Sequence, residues 1–135
     1  MKAIEKLFSF EGKVIIITGA AGAIGSSAGK LFASLGANVV ISDINEEGAK
    51  KVADAITKET GVEALGIKTN ATVESDLEEL VTVTLKKFGK ISGLINNVGW
   101  GANTSIWESN TDKMVQSYLL NTVGAYNLTK LCMPY

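Results

Sequence analysis

The chain has 135 residues, of which 46% are hydrophobic and 20% are charged, and its formal net charge at pH 7 is −1. This balance predicts one globular domain over residues 1–135 rather than a disordered or fibrous chain. The near-neutral charge argues against a nucleic-acid partner, and the lack of an apolar run of about 20 residues argues against a membrane partner.

The histidine and cysteine counts narrow the possible chemistry. The sequence has no histidine, and Cys132 is its one cysteine. Catalytic triads and zinc sites that use histidine are therefore excluded. One thiol cannot form an internal disulfide, so we expect a cytoplasmic protein. Any chemistry must come from a bound cofactor together with hydroxyl, amide or carboxylate groups.

A β-branched run and a set of glycines dominate the start of the chain. Residues 1–12 are expected to be an adaptor whose Leu7, Phe8 and Phe10 pack at the edge of a sheet. The run from Val14 to Thr18 predicts a strand buried on both faces, as in parallel sheets. The next helix is expected to end at Gly36, and its predicted buried face is Ile24, Ala28, Leu31, Phe32 and Leu35.

Gly19, Gly22 and Gly25 lie between that strand and that helix. Glycine lets the backbone turn sharply and approach a phosphate, and the free N–H groups of a helix N-terminus attract an anion. The pattern predicts a dinucleotide-binding turn. A glycine turn without a ligand is the alternative, and a P-loop fits poorly because Leu31 follows Gly29-Lys30.

Asp43 closes the second predicted strand, Asn38–Ser42, at the distance from the glycines that is expected in a βαβ dinucleotide unit. Its carboxylate can accept hydrogen bonds from the ribose hydroxyls of NAD, and it would repel the 2′-phosphate of NADP. No arginine lies near it to neutralise that phosphate, so we predict NAD as the cofactor. The alternative is that Asp43 caps the next helix.

The pattern then alternates helix and strand to the end of the chain. A helix capped by Asn45 should stop at Thr60-Gly61 and bury Ala49, Val52, Ala53 and Ile56. A third strand is predicted over Ala64–Lys68. The helix after it should begin at a capping box at Ser75 and end at Gly89. Its predicted inner residues are Leu77, Leu80, Val81 and Phe88. A fourth strand over Ile91–Ile95 precedes a last helix from about Thr111 to Met133, which is apolar on nearly every side.

This alternation predicts an α/β fold, a Rossmann-type doubly wound parallel sheet with strand order 3-2-1-4. Ligands of such sheets bind at the carboxyl ends of the strands, where the strand order reverses. The residues expected at that edge are Gly19, Asp43, Asn70 and Asn97.

Four features together resemble the short-chain dehydrogenase/reductase family, and the resemblance covers nearly the whole chain. They are the Thr18-Gly19 turn, Asp43, the segment Asn96-Asn97-Val98-Gly99, and Asn121 within Leu120-Asn121-Thr122-Val123-Gly124. The resemblance implies an NAD-dependent oxidoreductase that transfers a hydride between nicotinamide and a secondary alcohol or ketone. The sequence pattern as a whole is similar to that of bacterial hydroxysteroid and sugar-alcohol dehydrogenases.

The resemblance also implies roles for individual residues. Asn70 and Ala71 would edge the adenine, Asn97 and Gly99 would lie along the cofactor, and Asn121 would belong to the catalytic relay. The residues implied around the pyrophosphate and nearby ribose are Thr18, Gly19, Ala21, Gly22, Ile24 and Gly25.

The sequence departs from the family pattern at several points. The glycine spacing looks like that of the extended branch of the family, Asn70 stands where the family often has Asp, and Val98 stands where it has Ala. The family's catalytic serine and Tyr-x-x-x-Lys pair, expected after Asn121 on further elements, are absent from residues 1–135. Tyr126 and Lys130 have the Tyr-x-x-x-Lys spacing but are interpreted as packing and surface residues.

These departures lead to two further expectations. The chain by itself is expected to be a truncated dehydrogenase that is inactive alone, with a non-catalytic nucleotide-binding or oligomerisation module as the alternative. An uncovered Ile91–Ile95 edge and an apolar last helix predict a homo-oligomer, because exposed strand edges and large apolar surfaces tend to pair.

Overall fold

The computed structural model describes residues 7–101 and 105–135. In chain order its strands and helices are β1 (Val14–Thr18), α1 (Ala23–Ser34), β2 (Asn38–Asp43), α2 (Glu46–Thr60), β3 (Ala64–Lys68), α3 (Glu74–Phe88), β4 (Gly93–Ile95), α4 (Thr111–Tyr118), a π-helical turn (Leu119–Gly124) and α5 (Ala125–Cys132).

The four strands form one parallel sheet in the order β3-β2-β1-β4, as predicted. In its centre Ile16 of β1 pairs with Val40 of β2 and Leu94 of β4. The strand order reverses between β1 and β4, where consecutive crossovers leave the sheet in opposite directions. A crevice at the carboxyl ends of these two strands follows from this topology.

Helices cover both faces of the sheet, so β1 is buried at every residue. Successive side chains of a strand point to opposite faces, and β1 and β2 therefore supply both halves of the core. One half is formed by Ile15, Ile17, Val39 and Ile41 with Ala33, Ala49, Ala53 and Ile56. The other half is formed by Val14, Ile16 and Val40 with Leu77, Leu80, Val81, Leu128 and Cys132. Burial raises the pKa of the Cys132 thiol to about 11, so this side chain packs as a neutral apolar group.

The predicted buried face of α1 is wrong at Ile24 and Leu31, whereas Phe32 packs against the core as predicted and Ala28 and Leu35 are half-buried. Ile24 is 78% exposed and Leu31 is 58% exposed, whereas the buried residues of the helix are Gly25, Gly29 and Ala33. A Cβ on Gly29 would lie 2.8 Å from Cδ1 of Ile41, so the helix backbone lies directly against the isoleucine side chains of the core at this point. The small residues therefore face the sheet, and Ile24 and Leu31 face outward.

The starts of two other elements also differ from the prediction. The expected capping box at Ser75 is wrong: α3 begins at Glu74, and its N-cap residue Val73 makes no side-chain capping bond. Strand β4 spans only Gly93–Ile95 instead of the predicted Ile91–Ile95. At the N-terminal adaptor, Leu7 and Phe8 are exposed and only Phe10 packs, edge-to-face against Phe32 with ring centroids 4.9 Å apart. Residues 1–6 of that adaptor lie outside the described residues.

The predicted start of α2 and the predicted C-terminal ends of α2 and α3 are confirmed. Asn45 caps α2, because its side-chain oxygen accepts a hydrogen bond from the Gly48 N–H. Gly61 and Gly89 end α2 and α3 in the left-handed conformation, with φ of +77° and +75°. Glycine adopts this conformation without the steric cost that a Cβ would add.

The close approach between α2 and β3 gives a test of the fold. A Cβ at Gly66 would lie 2.6 Å from the backbone N and Cα of Lys50, which cannot move without shifting α2. We therefore expect Gly66→Ala to lower the free energy of unfolding by about 1–3 kcal/mol, measured by urea denaturation.

Gly101→Ala is the matched control, because a Cβ there would meet nothing within 4 Å. Its free energy of unfolding should stay within about 0.5 kcal/mol of the parent value. Equal stabilities for the two variants would contradict the close contact between α2 and β3.

Candidate functional site

An open cleft of about 660 Å³ lies at the carboxyl ends of β1, β2 and β4. This is the edge at which the strand order reverses. The residues that line the cleft are Gly19, Ala21, Gly22, Ala23, Ile24, Asp43, Asn45, Asn97, Val98 and Gly99. Seven of the residues proposed for cofactor binding from the sequence therefore meet in one cleft: Gly19, Ala21, Gly22, Ile24, Asp43, Asn97 and Gly99.

The turn between β1 and α1 forms the floor of the cleft. Gly19 has φ of +62°, and a Cβ there would lie 3.1 Å from the Val98 Cα. A Cβ on Gly25 would lie 2.7 Å from both the Ala20 Cα and the Gly19 carbonyl oxygen. Gly22 is different, since a Cβ there would meet only the Gly19 oxygen at 3.5 Å. Gly19 and Gly25 are thus needed for chain packing, whereas Gly22 leaves open space above the turn.

Thr18 and Asn97 tie this turn to the end of β4. The Thr18 hydroxyl oxygen accepts hydrogen bonds from the N–H groups of Asn97 and Val98, at 3.1 and 3.2 Å. In return, Nδ2 of Asn97 donates to the carbonyl oxygens of Thr18 and Gly19, at 3.0 and 3.1 Å. These bonds fix the β4 side of the cleft against its floor.

Asp43 ties the same turn to the end of β2. Its Oδ2 accepts a hydrogen bond from the Ala21 N–H and its Oδ1 accepts one from the Asn45 N–H, both at 2.9 Å. Asn45 provides the cap of α2, so the alternative in which Asp43 caps that helix is wrong. The carboxylate lies in the cleft wall, where its remaining lone pairs can accept hydrogen bonds from a ligand.

The N-terminus of α1 also borders the cleft. Its first residue is Ala23, and its N-cap residue Gly22 offers no side-chain oxygen to the first N–H groups of the helix. Ala23 and Ile24 belong to the cleft lining. A helix N-terminus with free N–H groups in a cleft is suited to an anionic ligand.

Asn70 and Ala71 lie beside this cleft and outside its lining. The Thr69 N–H donates to the Asp43 carbonyl oxygen at 2.9 Å, which puts the end of β3 next to the end of β2. The Asn70 side-chain oxygen accepts bonds from the N–H and the hydroxyl of Thr72. Ala71 packs through its carbonyl group against Gly124 of the π-helical turn.

Asn121 lies in the π-helical turn and is bonded to the segment that follows Gly99. Its Oδ1 accepts from the Trp100 N–H at 2.9 Å, and its Nδ2 donates to the Trp100 carbonyl oxygen at 2.8 Å and to the Ser117 hydroxyl at 2.9 Å. A Cβ on Gly99 would lie 3.5 Å from the Asn121 Oδ1. Asn121 therefore adjoins the β4 end of the cleft.

Sequence reasoning missed two cleft residues, Ala23 and Asn45, and identified the third, Val98, only as a departure from the family pattern. Asn45 carried a signal, since a residue that caps α2 two positions after Asp43 must lie near that carboxylate. Tyr126 and Lys130 are exposed and lie outside the cleft lining. Within residues 7–101 and 105–135, no group of three or more His, Cys, Asp or Glu side chains could hold a metal ion. No helix in those ranges is long and apolar enough to cross a membrane.

A parallel doubly wound sheet with a glycine turn at the point where strand order reverses defines a Rossmann-like α/β domain. Residues 13–135 match the family model described as short chain dehydrogenase. The chain therefore belongs to the short-chain dehydrogenase family, as the sequence motifs predict.

Three relatives illustrate the match. The 7alpha-hydroxysteroid dehydrogenase of Bacteroides fragilis is 37% identical over 129 residues, which cover 93% of this chain and 49% of that protein. The NADP-dependent mannitol dehydrogenase of Hypocrea jecorina is 36% identical, covering 89% of this chain and 50% of that protein. The crystal structure of hydroxysteroid dehydrogenase from Escherichia coli superposes with a TM-score of 0.88 at 34% identity, covering 94% of this chain and 53% of that one. The chain thus spans about half the length of these relatives.

The bonds between Asn97 and the glycine turn can be tested by Asn97→Asp. The substitution replaces the Nδ2 donor with a carboxylate oxygen that faces two carbonyl oxygens. We expect the free energy of unfolding to fall by about 1–3 kcal/mol in chemical denaturation, because two partly buried acceptors lose their donor.

Asn127→Asp is the matched control. Asn127 is half-buried on α5, and its side chain makes no hydrogen bond within the described residues, so the same chemical change there should alter the free energy of unfolding by less than about 0.5 kcal/mol. A stability of Asn97→Asp within that same limit would show that the turn does not depend on the Asn97 amide.

Proposed function

We propose that the chain is the cofactor-binding part of an NAD-dependent oxidoreductase acting on a secondary alcohol or ketone. The observation that carries this proposal is the Asp43 carboxylate, which lies in the cleft wall and is bonded to the Ala21 N–H of the glycine turn. The bound nicotinamide supplies the site that takes up or gives the hydride.

The floor of the cleft suits the pyrophosphate of a dinucleotide. The space above Gly22 is free, and the N-terminus of α1 opens onto it. The proposed pyrophosphate and ribose contacts are Thr18, Gly19, Ala21, Gly22, Ile24 and Gly25. In this assignment Thr18 and Gly25 act by shaping the turn, because Thr18 bonds to the segment after β4 and Gly25 has no room for a Cβ.

The choice of NAD over NADP follows from the charge at Asp43. Ribose hydroxyls can donate charge-assisted hydrogen bonds to its carboxylate, each worth about 1.5–3 kcal/mol. A 2′-phosphate would instead bring negative charge against the carboxylate, and all 13 basic residues of the chain are lysines rather than arginines. One relative in the family is named as NADP-dependent. The preference for NAD over NADP that we propose would therefore belong to this cleft and not to the family as a whole.

Asn97, Gly99 and Asn121 mark the end of the cleft where we place the nicotinamide. Asn121 bonds to both backbone groups of Trp100 and to Ser117, so its contribution is to position the segment after Gly99. We propose that Asn121 takes part in the catalytic relay through this positioning.

The substrate class is proposed from the relatives. Two of the three relatives described above are named as hydroxysteroid dehydrogenases and one as a mannitol dehydrogenase, and each of these names denotes oxidation of a hydroxyl group. We propose a secondary alcohol or the corresponding ketone as substrate. Because the chain spans about half of those proteins, residues 1–135 by themselves should bind NAD without turning over substrate.

We further propose that the protein is a cytoplasmic homo-oligomer. Helix α4 and the start of the π-helical turn expose a set of large apolar side chains, namely Met114, Val115, Tyr118 and Leu119. A contiguous apolar surface of this kind is typical of a protein interface. A second copy of the same chain would cover it.

The cofactor assignment is tested with Asp43→Ala in a calorimetric titration of the purified chain. The parent chain should bind NADH and bind NADPH much more weakly. The substitution should weaken NADH binding by about tenfold to a hundredfold, because charge-assisted bonds to the ribose are lost, and should weaken NADPH binding less than NADH binding.

Asp54→Ala is the matched control, since Asp54 is exposed on α2 and lies outside the cleft lining. It removes the same charge and should leave both affinities unchanged. Equal losses of NADH and NADPH affinity in Asp43→Ala would contradict the assignment of NAD. A folded parent chain that binds neither dinucleotide would overturn the proposed function.

The oligomer is tested by light scattering at micromolar concentration. The double variant Val115→Glu with Tyr118→Glu should shift the measured mass toward that of one chain, because charges would be buried at the interface. Gln116→Glu adds a charge to the same exposed helix without removing an apolar side chain, and it should keep the parent mass. A parent chain with the mass of one copy would contradict the proposal.

A further inference from the structure

The backbone of Trp100 is held by side chains and not by a strand or a helix. Trp100 follows Gly99, which lines the cleft at the proposed nicotinamide end. Residues 96–101 belong to no strand or helix. Within residues 7–101 and 105–135, the N–H and C=O groups of Trp100 bond only to the side chains of Asn121 and Ser117. The place of the segment after Gly99 therefore depends on these two side chains.

The bonds to Trp100 fix the orientation of the Asn121 amide. The Trp100 N–H can only donate, so the Asn121 atom that faces it at 2.9 Å is Oδ1. The Nδ2 group has two hydrogens. One is donated to the Trp100 carbonyl oxygen at 2.8 Å and the other to the Ser117 hydroxyl oxygen at 2.9 Å. Without the Ser117 hydroxyl, one hydrogen of Nδ2 would lose its protein acceptor.

The Ser117 hydroxyl also bonds to Trp100 directly. Its O–H donates to the Trp100 carbonyl oxygen at 3.1 Å, while its oxygen accepts from Asn121. The Trp100 carbonyl oxygen thus accepts two hydrogen bonds, the number that its two lone pairs allow. Ser117 belongs to α4 and Asn121 to the π-helical turn that follows it. Side chains from two consecutive helical segments therefore meet at one carbonyl group.

We infer that Ser117 is a positioning residue for the nicotinamide end of the cleft. Its hydroxyl holds the Asn121 amide and the Trp100 carbonyl group together, and so keeps the segment at Gly99 in place beside the ring. A Cβ on Gly99 would lie only 3.5 Å from the Asn121 Oδ1, so a shift of the amide would reach the cleft lining. The role of Ser117 rests on the proposed binding of a nicotinamide dinucleotide in the cleft.

Ser117→Ala tests this role in parallel calorimetric titrations with NADH and with ADP-ribose, which is the same dinucleotide without its nicotinamide ring. Alanine removes the hydroxyl and favours the helix. NADH binding should weaken by about threefold to tenfold, because the segment beside the ring is held less firmly. ADP-ribose binding should stay unchanged, because this ligand has no ring for the segment to contact.

The ratio of the two affinities separates positioning from a general loss of stability. A smaller folded fraction would weaken NADH and ADP-ribose binding equally and leave the ratio as it is. Ser117→Thr keeps the hydroxyl and should restore the parent ratio. Ser34→Ala is the matched control, since it removes a hydroxyl from the exposed face of α1, outside the cleft lining, and it should leave the ratio unchanged.

An unchanged ratio in Ser117→Ala would overturn the positioning role, as would a Ser117→Thr variant with the ratio of Ser117→Ala. A parent chain that binds ADP-ribose as tightly as NADH would overturn it too, because the nicotinamide end would then contribute nothing to binding. In each of these cases NADH binding by the parent chain would leave the proposed function standing. A folded parent chain that binds neither ligand would overturn the proposed function, and the role of Ser117 with it.

Discussion

The rest of the site depends on how the β1–α1 turn is held from two sides. Asn97, after β4, donates to the carbonyl oxygens of the turn, and Asp43, at the end of β2, accepts from the N–H of Ala21. Each side chain satisfies backbone groups of the turn that no regular strand or helix bond would satisfy. The same two side chains also line the cleft. The groups that keep the turn in shape and the groups that would meet a ligand are therefore the same.

The features predicted correctly from the sequence are those with a local physical cause. The run Val14–Ile17 is apolar without interruption, which is typical of a strand covered on both faces, and it is buried throughout. Glycine and asparagine signals placed the ends of α2 correctly, at Asn45 and Gly61. The strand order follows from the handedness of the crossovers, and this order brings Gly19, Asp43 and Asn97 to one edge of the sheet.

The features that sequence reasoning missed depend on distances between elements. Hydrophobic periodicity assigned Ile24 and Leu31 to the core, but α1 lies so close to the sheet that only Gly25, Gly29 and Ala33 fit beneath it. The π-helical turn was not predicted, and it contains Asn121, whose amide bonds to Trp100, 21 residues earlier in the chain. The orientation of the Asn70 amide likewise depends on a bond to Thr72 that follows only from the loop conformation.

The pairing of β1 with β4 has a consequence for the order of folding. Strands β1, β2 and β3 pair with neighbours close in sequence, whereas β4 joins β1 through contacts about 78 residues apart, such as that between the Val14 N–H and the Ser92 hydroxyl. Long-range pairings form late because closing a long loop costs chain entropy before any stabilising contact is formed. One wall of the cleft thus forms only when β4 docks, so the complete cleft is a late product of folding, and a ligand that needs both walls would select fully folded molecules.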